Sequence, residues 1–218
     1  MERIARLLLF LLPFLLTGCT AEPAGEIRVG LPVLPSILNP LYATDAASVR
    51  IGRLLFGSLV EFDSRDRPVP GIAEWQRPGP RHYRFVLRER RRPFSNGEVL
   101  SAEDVAATYG AVLDPRRGSP HRANLGMIER IEAVDARTLD FFLSRPDPHF
   151  PAYLTIGILP RALLAKESLA DADLIGNGPF RYLAGEARSR LRLERIDDGQ
   201  VLEFLLVKDP VVRALKLR

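Results

Sequence analysis

The first nineteen residues constrain this chain more than any other stretch. Arg3 and Arg6 precede a ten-residue apolar run, Leu7–Leu16, and the small residues Thr17 and Gly18 lead to Cys19, the sole cysteine of the sequence. A charged start, a short apolar centre and small residues before a cut define an export leader. A helix needs roughly 20 apolar residues to cross a bilayer. This run is shorter and carries Pro13, so it is expected to be cleaved rather than kept as a span. With one cysteine no internal disulfide can form, and a fold outside the cytoplasm must then rest on core burial alone.

Leu16-Thr17-Gly18-Cys19 resembles the bacterial lipobox, in which the cysteine receives a diacylglycerol thioether and becomes the new N-terminus. The expected organisation is a lipoprotein signal peptide over 1–18, a lipidated tether over 19–25 rich in small and polar residues, and a folded region over 26–218. Two or more acyl chains hold a protein on a membrane where one does not. The expected location is periplasmic or otherwise extracytoplasmic, lipid-anchored through Cys19.

The mature remainder is long enough for one large domain or two small ones. With 46% hydrophobic and 27% charged residues it is globular, and its net charge of +4 is mild. The one dense basic run, Arg88–Arg92, has no interleaved aromatic residues. It reads as a solvated strand end and turn, and nucleic acid is not an expected partner. His82, His121 and His149 lack metal-ligand spacing, and Asp171, Asp173, Asp197 and Asp198 sit in polar turn-like stretches. No catalytic constellation, metal or cofactor is expected, and so no enzyme.

Downstream of the tether, short strands alternate with modest helices. Ile27, Val29 and Leu31 alternate as a strand that Pro32 and Pro35 end. Ala46–Leu55 predicts a helix with Val49, Ile51, Leu54 and Leu55 on its apolar side, and Leu59–Phe62 a short strand closed by the turn Ser64–Arg67. Pro70-Gly71 predicts a bend before a helix or loop. Tyr83, Phe85 and Leu87 mark a strand leading into the turn Ser95-Asn96-Gly97. Ser101 and Asp104 have capping-box spacing ahead of a helix from Ala102, with Val105, Tyr109, Val112 and Leu113 buried and Asp114-Pro115 as its stop.

Further on, Arg130–Val134 and Thr138–Leu143 predict a hairpin, and Arg145–Pro151 a loop. Ile156–Leu159 predicts a strand, and Arg161 to about Leu169 a helix. Gly178-Pro179 predicts a loop entering a strand. Leu191 with Leu193, and Val201–Val207, predict strands about the turn Asp198-Gly199, and Asp209-Pro210 opens a last helix.

The order of short motifs carries a resemblance. Leu38-Asn39-Pro40, Leu55-Phe56-Gly57-Ser58-Leu59-Val60, Pro68-Val69-Pro70-Gly71-Ile72-Ala73-Glu74 and Tyr83-Arg84-Phe85-Val86-Leu87-Arg88 come first. Pro93-Phe94-Ser95-Asn96-Gly97, Ser101-Ala102-Glu103-Asp104-Val105 and Gly176-Asn177-Gly178-Pro179-Phe180 follow. Together they resemble the successive signatures of solute-binding protein family 5, which includes periplasmic oligopeptide, dipeptide and nickel binding proteins.

The resemblance implies an α/β fold: a periplasmic-binding-protein-like (type II) first lobe with a β-rich subdomain. Members of the peptide branch are much longer, so the sequence is expected to be an N-terminal portion with the second lobe missing. The implied role is capture of peptides or another small solute, passed to the permease and ATPase subunits of an ABC importer, with membrane lipid engaged through acylated Cys19. The alternatives are a truncated interaction or signalling lipoprotein, or a non-functional fragment, that keeps the first lobe without transport.

In oligopeptide members the loop after the Leu-Asn-Pro motif touches the bound peptide, which implies Thr44, Asp45 and Ala46 here. A residue after a Ser-Pro pair beyond the Asp-Pro helix stop, usually aromatic, also faces the cleft. The matching residue is His121, after Ser119-Pro120. A histidine in place of tyrosine exchanges stacking for a hydrogen bond or for contact with a metal chelate or carboxylate. By its residue type alone, His121 also fits a surface loop.

Overall fold

The computed structural model describes residues 25–166, 169–170, 173–186 and 189–215, so Cys19 and its leader lie outside the described residues. The frame is a four-stranded antiparallel sheet whose alternation was legible at Tyr83, Phe85 and Leu87. Strand β5 (His82–Leu87) turns these three side chains inward, all buried, between β4 (Ala73–Gly79) and β7 (Thr138–Leu143), with β6 (Ile128–Ala133) at the far edge. The inner face packs on helix α2 (Ala102–Leu113), which buries Val105, Tyr109 and Val112 and half-buries Leu113.

Phe141 sits at the centre of this packing. Its ring meets Phe85, Tyr109 and Phe150 at centroid distances of 5.5, 5.6 and 5.4 Å, each at a steep angle. Edge-to-face pairs of this kind contribute about 0.5–1.5 kcal/mol each beyond area burial. Asp104 secures the start of α2. One carboxylate oxygen accepts from the Ser101 amide at 2.9 Å, and the other from the Arg161 amide at 2.9 Å. The shorter acid thus serves the capping position and a distant backbone together.

A second sheet joins the two ends of the described chain. Strand β1 (Ile27–Leu31) runs parallel to β10 (Val201–Leu206), in register from Ile27 against Leu202 to Leu31 against Leu206. Strands β9 (Arg190–Arg195) and β8 (Phe180–Glu186) complete the order β1-β10-β9-β8. A small hairpin of β2 (Val60–Phe62) and β3 (Pro68–Pro70) lies between the sheets in sequence, and its turn places Asp66 at φ 55°. The remaining helices are α1 (Ala46–Leu55), the single turn α3 (Arg122–Leu125), and α4 (Pro210–Leu215), whose first amides donate to Asp209.

Three expectations are corrected. Ile156–Leu159 forms no ladder and crosses the core as an irregular segment with Ile156, Ile158 and Leu159 buried. Its apolar character reflects burial against α1 and α2; the Leu159 amide donates to the Thr108 hydroxyl at 3.2 Å and the Ile158 amide to the Gly57 carbonyl at 3.0 Å. The helix expected from Arg161 is a short 3-10 turn, Arg161–Ala165. Pro70-Gly71 leads directly into strand β4, and the loop at Arg145–Pro151 ends in a 3-10 turn, Phe150–Tyr153. The basic run at Arg88–Arg92 follows the end of β5 as a strand end and turn with Arg88–Arg90 exposed, as expected, and several of its guanidinium groups are paired within the molecule. Arg88 bonds Glu74, Arg91 bonds the Leu100 carbonyl, and Arg92 holds Asp197 through two bonds of 2.5 and 2.6 Å.

Residues 176–178 cross the end of α1 at backbone contact. The Gly178 amide donates to the Leu55 carbonyl at 2.8 Å, and a side chain at Gly176 would place its Cβ 2.0 Å from that same oxygen. Gly176→Ala is expected to lower stability by roughly 1–3 kcal/mol, the range for forced overpacking. Gly110→Ala, in the open interior of α2, is expected to raise it by up to about 1 kcal/mol. Denaturant midpoints of the two variants check this, and equal midpoints would contradict the crossing.

Candidate functional site

Three separated segments converge beside α1. The first, residues 36–43, is stapled to the helix at Ser36 and Ile37 by an Asp–Ser network. Asp45 caps α1, its carboxylate accepting from the Ser48 amide at 2.9 Å, the Ser48 hydroxyl at 2.5 Å and the Ser36 hydroxyl at 2.6 Å. The fully buried Ser48 hydroxyl in turn accepts from the Ser36 and Ile37 amides at 3.1 and 3.2 Å. These bonds, Ser36 foremost, lower the Asp45 pKa from 3.8 to about 2.

The second segment is the Ser119-Pro120-His121 turn. Ser119 is buried, and its hydroxyl donates to the Leu41 carbonyl at 2.7 Å, joining positions 78 apart. The same oxygen accepts the His121 amide at 3.3 Å. His121 is thereby held beside Ala43, half-buried. Burial pushes its imidazole below the ordinary histidine value, against a smaller opposing effect of the Ala43 backbone. The third segment, Thr155–Gly157, approaches Phe56 so closely that a Cβ at Gly157 would lie 2.4 Å from the Phe56 Cβ.

Between the three lies a cavity of about 90 Å³. Its walls are mostly apolar (Leu38, Pro40, Val49, Phe56, Ile156), and Ser48, Ser58, Arg53 and His121 supply polar groups. That composition, an apolar lining with a few convergent polar groups, is what a small-molecule subsite requires. A wider, open groove of about 840 Å³ runs between residues 32–39 and strands β8–β10, and none of the four expected contact residues lines it.

The expected residues therefore part company. His121 lines the cavity. Asp45 is turned to Ser36 and Ser48 as a helix cap, while Thr44 and Ala46 are exposed beside it and outside the lining. Ser48, Arg53 and Thr155–Gly157 were missed. For Ser48 a signal existed, since it stands three residues after an Asp in N-cap position. Arg53 carried none beyond its place in a helix, and Thr155–Gly157 was absorbed into an expected strand.

A type II periplasmic-binding-protein lobe is the class this architecture defines. It superposes on the structure of OppA from Burkholderia pseudomallei with a TM-score of 0.77 at 20% identity, covering 89% of this chain and 44% of that one. Residues 67–202 match the family described as bacterial extracellular solute-binding proteins, family 5 Middle, and the chain belongs to that family. The oligopeptide-binding protein AppA of Bacillus subtilis (strain 168) is 26% identical over 189 residues, covering 81% of this chain and 35% of that protein. The periplasmic oligopeptide-binding protein OppA of Salmonella typhimurium is 26% identical over 182 residues, covering 72% of this chain and 33% of that protein. The chain thus spans about a third of the length of the curated relatives it matches. The family is one of binding proteins.

Asp45→Ala is expected to cost about 1–2 kcal/mol through the lost cap. Because the folded Asp45 pKa lies below its ordinary value, its contribution is present above pH 3.8 and lost as pH falls through about 2. Thermal melts of both proteins across that window should converge at the acid end. A difference that stays constant with pH would assign the loss to something other than the carboxylate.

Proposed function

We propose that this chain is the solute-capturing part of an ABC importer, taking up peptides or a related small solute outside the cytoplasmic membrane and passing them to the permease. The names of its relatives, oligopeptide-binding proteins, support this choice of solute. In this reading residues 1–18 are the signal peptide, Cys19 carries the lipid that holds the protein at a membrane, residues 19–25 are the tether, and residues 26–218 form the lobe. Its role is binding without catalysis. The observation that carries the reading is the convergence at the cavity: the buried Ser119 hydroxyl fixes His121 against the segment leading into α1. In this reading Thr44 and Ala46, exposed and outside the cavity lining, contact the part of the solute that the cavity does not seat.

A cavity of about 90 Å³ encloses only a small part of a peptide, so a bound solute keeps much of its hydration, and affinity is expected near the millimolar end, about −4 kcal/mol. Saturation-transfer NMR of the full chain with an equimolar mixture of di- to tetrapeptides should give signal, and His121→Ala should weaken it while leaving the melting temperature within about 2 °C. Absence of signal at millimolar peptide, or full signal from a folded His121→Ala protein, would overturn the reading.

A further inference from the structure

Among the arginines of the described residues, Arg53 is the one that lines the cavity. Most arginines have a carboxylate or carbonyl in hand: Arg84 holds Asp140, Arg92 holds Asp197, Arg137 holds Glu89 and the Leu87 carbonyl. Arg53 is among the residues lining the cavity, is exposed, and its guanidinium has no hydrogen bond or ion pair among the described residues. The cavity lining contains no carboxylate. The acid nearest in sequence on this helix, Asp45, is committed to Ser36 and Ser48. Arg53 lies in the last turn of α1, where the helix dipole favours a cation. That accounts for a basic residue in this turn; it does not account for an uncompensated guanidinium beside an apolar cavity whose other titratable group is a half-buried histidine.

We infer that Arg53 is a specificity-determining residue that takes a carboxylate of the bound solute, while the apolar floor of Leu38, Val49 and Phe56 takes an adjoining apolar group. The inference rests on the cavity being the solute-binding site. The chemistry follows from the donor set. A guanidinium offers paired N–H donors that match the two oxygens of a carboxylate, and a lysine in its place keeps the charge without the fork. A cavity of about 90 Å³ admits a group the size of a small side chain and not a whole peptide, so the carboxylate must lie within one residue of the group it seats.

The test uses matched tripeptides, one set with a free C-terminal carboxylate, one amidated, and one amidated but bearing a glutamate side chain, each titrated against the full chain by saturation-transfer NMR. The expected result is that the wild-type chain prefers a carboxylate-bearing set over the plain amides by roughly two- to fivefold, the size of an exposed charge pair. The set preferred identifies whether the terminal or the side-chain carboxylate is read. Arg53→Gln should erase the preference and Arg53→Lys should keep part of it. Arg50→Gln, which removes a like charge one turn earlier on the same helix but off the cavity, should leave it unchanged.

Equal binding of acids and plain amides by the wild-type chain would overturn the role of Arg53 and leave the binding site standing. The same follows if Arg50→Gln removes the preference as fully as Arg53→Gln, since that outcome assigns it to net charge. Failure of every set to bind would overturn the site itself and the inference with it.

Discussion

The crossing of residues 176–178 over the end of α1 is the contact on which the rest of the structure depends. Three parts of the chain meet there through backbone groups. The Leu55 carbonyl accepts from Gly178, the Gly57 amide donates to the Asn177 side chain at 3.0 Å, and the Gly176 carbonyl accepts from Ser95 at 2.8 Å. Carbonyls at a helix end lack intrahelical partners, and here a remote strand entry supplies them. The crossing sets where β8 begins, and β8 sets the sheet that closes on β1. It also fixes the direction of α1 and so which of its side chains reach the cavity. Van der Waals contact at these distances admits glycine at 176 and 178 alone.

Elements whose signal is local were legible in the sequence. The strand at Tyr83, Phe85 and Leu87, the hairpin of β6 and β7, the helix after Ser101 and the positive-φ turns at Gly97 and Gly199 all follow from period, cap or glycine. What was not legible depends on partners far away in sequence. Ile156–Leu159 has the composition of a strand because it is buried on all sides, and burial without a neighbouring ladder gives the same apolar run. The turn at Arg161 has its first amide capped by Asp104, a partner 57 positions away that no pattern near Arg161 reveals. Strand β4 was hidden by its polar outer positions, Glu74 and Gln76, and by Pro78 near its end. For the site, Asp45 shows the limit clearly. The motif resemblance implied a solute contact there, while its side chain is committed to the local cap.

The charges of the molecule divide by what they are used for. On the outer face of the four-stranded sheet, Asp140 is buried and takes both arms of the Arg84 fork at 2.8 and 2.7 Å, with the His82 Nε2 at 3.2 Å. Arg84 foremost holds its carboxyl below the usual range. Such an arrangement is tied to the fold, because losing Arg84 would strand the buried Asp140 carboxylate. Arg92 and Asp197 do similar work at the surface, linking the segment after β5 to the β9–β10 turn. Groups engaged this way have little to offer a solute. At the cavity beside α1 the Ser48 and Ser58 hydroxyls are engaged in the fold, while the Arg53 guanidinium has no bond among the described residues.

In the proposed solute-binding reading, a histidine at 121, where the family resemblance implies an aromatic residue, changes the terms of recognition. A half-buried His121 with a lowered pKa is neutral at neutral pH, so it adds no second positive charge beside Arg53. A neutral imidazole carries one donor and one acceptor nitrogen, whereas a guanidinium only donates. The wall therefore pairs a fixed cation with a group that either gives or takes a hydrogen bond, set into an apolar floor. A solute that satisfies both must bring an acceptor of negative charge and a second polar group a short distance from it, with apolar atoms between. Stacking on a flat surface contributes little to such a site, and direction is imposed by the hydrogen bonds. The buried Ser119 hydroxyl, by holding the backbone ahead of His121 to the Leu41 carbonyl, supplies the rigidity on which that directionality relies.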